Sequence, residues 1–82
     1  MIQERRKEPI RRRQLKAGTI AFGYGGGISC VVRNLSRAGA CLEVTSPVGI
    51  PDRFDLLVES DNLRQGCRVA WRREKRIGVE FV

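Results

Sequence analysis

The sequence predicts an all-β fold, a small six-stranded antiparallel β-barrel. Three observations carry that prediction. Apolar residues alternate with polar or small ones at period two through nearly all of the chain after residue 16. Turn-forming clusters interrupt the alternation at short intervals. No stretch shows convincing helical periodicity; a turn within residues 3–16 is the one candidate, and Pro9 interrupts it.

Each element reads from its own pattern. In TIAFGY, Ile20, Phe22 and Tyr24 share one face, and in GISCVVRN, Ile28, Cys30 and Val32 do the same. The third strand sets Ala40, Leu42 and Val44 inward, the fourth Phe54, Leu56 and Val58. The fifth sets Cys67, Val69 and Trp71 inward, and the last Ile77, Val79 and Phe81. The breakers are GYGGG at 23–27, NLSRAG at 34–39, SPVGIPD at 46–52, SDNLRQG at 60–66 and RREKR at 72–76. Closing six short strands into a barrel also removes the edges that a flat sheet of this size exposes. The chain divides into a flexible basic arm, residues 1–16, and a barrel, residues 17–82, with no C-terminal helix.

Composition limits the chemistry. At 82 residues the chain is one domain with a small core and little room for a deep cavity. It contains no His, the commonest general base and metal ligand. Cys30, Cys41 and Cys67 lack metal-binding or redox spacing and read as reduced thiols of a cytoplasmic protein. Cys30 and Cys67 fall on inward faces; Cys41 falls on the face opposite Leu42 and is the more accessible. No paired carboxylates or nucleophile constellation stand out, so an enzyme is the least favoured reading, and no cofactor is expected. No apolar run long enough for a membrane span or leader occurs in the first twenty residues.

The net charge is +7, from 16 basic and 9 acidic residues, and seven of the basic ones precede residue 17. That pole suits an anionic partner; a solvated basic tail is the plainer reading. Asn34, Ser36 and Gly39 form N-x-S-x-x-G between Arg33 and the next strand. Asn and Ser side chains cap free amides in turns, and Gly can take positive φ, so the motif serves a fold unaided. Beside Arg33 and Arg37 the same groups also make an anion cradle. GYGGG lacks phosphate-loop spacing and reads as a hairpin connection. Trp71 reads as core, with a stacking platform for a base as the second reading.

Taken together, ERRKEPIRRR before the first strand, NLSRAG, and CRVAWRREKRIGVEF at the end resemble the PilZ domain family along essentially the whole chain. The resemblance implies a bacterial cytoplasmic receptor for the second messenger cyclic di-GMP. Its ligand-binding residues would be Arg6, Lys7 and Arg11 from the arm with Asn34, Ser36 and Gly39 from the turn. Arginine suits that ligand because its planar fork pairs with a phosphate or with O6 and N7 of guanine. The family's R-x-x-x-R spacing is altered here: Arg6 and Arg11 stand five apart, and Lys7 with Arg11 keeps the offset of four. The resemblance further implies an arm that closes on the ligand and relays the signal to an unidentified protein effector, with motility, adhesion or polysaccharide output. The altered spacing supports an alternative, a PilZ-like adaptor that works through protein contacts without nucleotide. A small basic barrel binding nucleic acid is disfavoured, because all five aromatic residues fit the inward pattern and leave few for base stacking.

Overall fold

A computed structural model describes residues 15–23 and 25–82. The expected barrel is present. Its strands are β1 (Lys16–Phe22), β2 (Gly26–Leu35), β3 (Gly39–Glu43), β4 (Arg53–Val58), β5 (Leu63–Arg73) and β6 (Arg76–Phe81). A 3₁₀ turn at Glu59–Asp61 is the one helical element among the described residues. The closed order is β1-β2-β3-β6-β5-β4, antiparallel at every seam. The fifth strand begins at Leu63, earlier than the SDNLRQG cluster suggests, because Leu63 to Gly66 pair in register with Val58 back to Asp55.

The inward face follows the alternation. Ile20, Val32, Leu42, Leu56, Val58 and Ile77 are wholly buried, with Cys30, Phe54, Cys67 and Val79 nearly so. A buried aliphatic side chain of this size contributes about 2 kcal/mol through its removal from water. Val44 and Ile50, from the segment joining β3 to β4, complete the core cluster. Arg72 holds that segment to β5, donating to the Pro47 carbonyl (3.3 Å) and the Asp52 carboxylate (2.8 Å). Lys16, where the arm meets the barrel, pairs with Asp61 at 2.6 Å, and this hydrogen bond holds the Asp61 carboxyl below its usual range. Tyr24 and residues 1–14, including Arg6, Lys7 and Arg11, lie outside the described residues.

Two β-bulges break the alternation and set the outer surface. The first lies between Val32 and Asn34, the second between Val69 and Trp71. One extra residue reverses the face of everything beyond it, since side chains alternate. Strict alternation would aim Asn34 inward after Val32; instead Asn34 is exposed and Leu35 packs on the core. The expectation that Trp71 is a core residue is overturned in the same way. With Ala70 as the extra residue, Trp71 turns outward and is 46% exposed.

Inside the barrel, burial pushes the Cys30 thiol up to about 11, helped by the neighbouring Cys67. Burial also pushes Cys67 up to about 11, helped by the Asp55 charge. Both thiols therefore stay protonated in the folded barrel at pH values where an unfolded chain, with thiols near 9.0, ionises. Stability from these groups is complete below pH 9 and is lost as the pH rises from about 9 towards 11. Urea melts across that window are expected to show a decline on the order of 1 kcal/mol per thiol per pH unit. The decline should disappear in Cys30→Ala/Cys67→Ala if that protein folds. In native protein at pH 8, an alkylating reagent should label half-buried Cys41 well before the other two.

Candidate functional site

The bulges assemble a row of outward positions across four strands. Asn34 pairs with Cys41, Cys41 with Gly78, and Gly78 with Trp71. A neighbouring outward row runs Gly39, Glu80, Arg68, Arg53. Between them and the Ser36 turn lies an open groove of about 630 Å³, within the usual size range of small-ligand sites. Trp71 forms one part of its lining, Asn34 and Ser36 another.

Gly78 permits that arrangement. A Cβ there would stand 2.1 Å from the Trp71 indole nitrogen and 2.2 Å from Cε2, so the ring lies directly on the bare backbone of β6. With its inner face against Gly78 and 46% of the residue still accessible, the indole offers a flat apolar surface to the groove. Such a surface stacks the π-face of any base.

The turn between β2 and β3 is held by its serine. Ser36 Oγ accepts from the amides of Ala38 (3.2 Å) and Gly39 (3.3 Å) and lies 3.3 Å from the Gly39 carbonyl, to which it donates. The Ser36 amide closes the turn onto the same carbonyl at 2.9 Å. Gly39 does not take the positive φ anticipated for it; the positive-φ glycines among the described residues are Gly23, Gly25 and Gly49. Its requirement is close approach: a Cβ on Gly39 would sit 2.1 Å from the Val79 carbonyl oxygen. Asn34 is exposed and lines the groove, and its side chain makes no hydrogen bond to another described residue.

Among the described residues Glu80 is the one acidic or basic residue in the lining of the groove, and Arg68 holds its carboxylate. The two arginines expected to make an anion cradle do not line it. Arg33 is committed to Glu43 at 2.8 Å, and Arg37 is exposed beside the turn. Among the described residues no cluster of His, Cys, Asp or Glu could hold a metal ion, and no helix is long and apolar enough to cross a membrane.

Of the six sequence-predicted site residues, the structure brings Asn34, Ser36 and Gly39 to one groove, while Arg6, Lys7 and Arg11 lie outside the described residues. Sequence reasoning missed Gly78 and Glu80 as its neighbours and gave Trp71 a surface role only as the second reading. The available signal was the glycine of IGVEF, a strand residue without a side chain and a common mark of close approach.

A closed barrel with an aromatic-lined groove on its outer wall has the form of a small binding module. The PilZ domain family model matches residues 4–82, and the chain belongs to that family. Comparison with curated proteins and with solved structures gives no match.

Proposed function

We propose that the protein is a cyclic di-GMP receptor whose ligand lies in the groove between Trp71 and the Asn34–Gly39 turn. The observation that carries this reading is the meeting of a half-exposed indole and the N-x-S-x-x-G turn in one cavity of ligand size. Guanine supplies a large π-face for Trp71, and the Asn34 amide can donate to phosphate or base oxygen. Among the described residues no unpaired cation lines the groove, so in this reading charge neutralisation of the two phosphates falls to Arg6, Lys7 and Arg11 of the arm. An arm engaged by ligand presents a changed surface to a protein effector, and this is how binding would reach motility, adhesion or polysaccharide output in a bacterial cytoplasm.

Calorimetric titration of cyclic di-GMP at physiological salt, with GMP as control, tests the reading. Saturable micromolar or tighter binding is expected, accompanied by a change in the emission of the single tryptophan. Trp71→Ala should weaken binding about tenfold or more, and Arg11→Ala should weaken it with the Trp71 platform intact. No heat, no emission change and no rise in melting temperature would eliminate the receptor and leave an adaptor acting by protein contacts, the role that the altered arginine spacing favours.

A further inference from the structure

Glu80 is an anomaly in a groove meant for a dianion. Removing its charge would reduce repulsion of two phosphates, yet Glu80 lines the groove, paired across the strands with Gly39 of the turn. Arg68 fixes it there through Oε1, and Oε2 has no partner among the described residues. Gly78 and Glu80 are alternate residues of β6 on the outer face, which places the backbone of Glu80 roughly 7 Å along the strand from the backbone that supports the indole.

We propose that Glu80 determines base specificity by accepting hydrogen bonds from the Watson–Crick edge of a guanine stacked on Trp71, with Arg68 as its positioning residue. The inference rests on the receptor reading above and deepens it. An ionised carboxylate only accepts. Guanine presents two adjacent donors on that edge, N1–H and the N2 amino group, so a carboxylate meets both in charge-assisted bonds. Adenine presents an acceptor, N1, in the same place and would face the carboxylate with a lone pair. Hypoxanthine keeps N1–H but lacks the N2 amino group, and it retains the O6 and N7 atoms that an arginine of the arm could fork. Its cyclic dinucleotide therefore isolates the carboxylate's contribution from any arginine contact.

The test is a set of titrations of cyclic di-GMP, its inosine analogue and cyclic di-AMP into wild-type protein and Glu80→Gln. Gln is isosteric, and residue 80 is exposed, so a melting curve should show the variant folded. Wild-type protein is expected to prefer the guanine ligand to the inosine analogue by about tenfold, and to reject the adenine ligand further. In Glu80→Gln, affinity for cyclic di-GMP should fall about tenfold and the guanine-to-inosine ratio should collapse towards one. Wild-type binding with an unchanged ratio in the variant, or tighter binding in the variant as charge repulsion alone dictates, overturns this inference and leaves the receptor standing. Wild-type protein that ignores all three dinucleotides overturns both.

Discussion

Gly39→Ala is expected to lower the melting temperature by roughly 10–20 °C. The single methyl added there would lie 2.1 Å from the Val79 carbonyl oxygen and 3.2 Å from its carbon, inside van der Waals contact with backbone that has no free torsion to yield. Relief requires β3 and β6 to separate where the chain is most constrained. The Ala38 carbonyl accepts from the Phe81 amide at 2.8 Å, and the Gly39 carbonyl accepts from Ser36. β3 is five residues long and central to the β2-β3-β6 seam, so displacement at its first residue spreads to Leu42, which is wholly buried. Overpacking of this kind costs about 1–3 kcal/mol, a large part of the stability available to a domain of this size. Differential scanning calorimetry of Gly39→Ala beside Arg37→Ala, an exposed neighbour, makes the measurement. If glycine were kept at 39 solely to leave room for a ligand, the variant would melt like wild type and lose only binding.

That division between fold and ligand explains what the sequence could and could not disclose. The barrel was legible because burial on one face of a strand imposes period two, and Ile20, Leu42, Leu56 and Ile77 report it residue by residue. The N-x-S-x-x-G turn was legible because Asn, Ser and Gly are turn formers set between two strand patterns, and Ser36 does cap the amides of residues 38 and 39. The position of Trp71 was not legible. Its parity with Cys67 and Val69 points inward, and only the extra residue at Ala70 reverses it. A bulge is a decision of pairing between two strands, taken where a local gain in twist offsets one unpaired residue, and it leaves no composition of its own. Arg33 and Ala70 are ordinary strand residues by type. The rotation of Asn34 and Trp71 onto one outer row therefore emerges only when β2, β3, β6 and β5 are laid side by side.

The same geometry separates the platform from the fold at Gly78. Alanine at 78 would place a methyl 2.1 Å from the Trp71 indole nitrogen and 2.7 Å from Cζ2, a conflict as severe in distance as that at Gly39. Here the obstructing atoms belong to a side chain that is 46% exposed and can rotate outward about χ1 and χ2. Gly78→Ala is thus expected to change the melting temperature by about 5 °C or less, while the indole leaves its seat on β6. Emission from the single tryptophan should shift to the red as solvent reaches the inner face of the ring. Affinity for cyclic di-GMP should fall about tenfold to a hundredfold, since a base stacked on an aromatic side chain is worth about 1–3 kcal/mol. Because both substitutions remove one platform, Trp71→Ala and Gly78→Ala should not add. The double variant should bind no worse than Trp71→Ala, which a double-mutant cycle by calorimetry can establish. Additive losses would mean that Gly78 serves the ligand directly rather than through the ring. Full binding by Gly78→Ala, with the emission shifted, would remove Trp71 from the site.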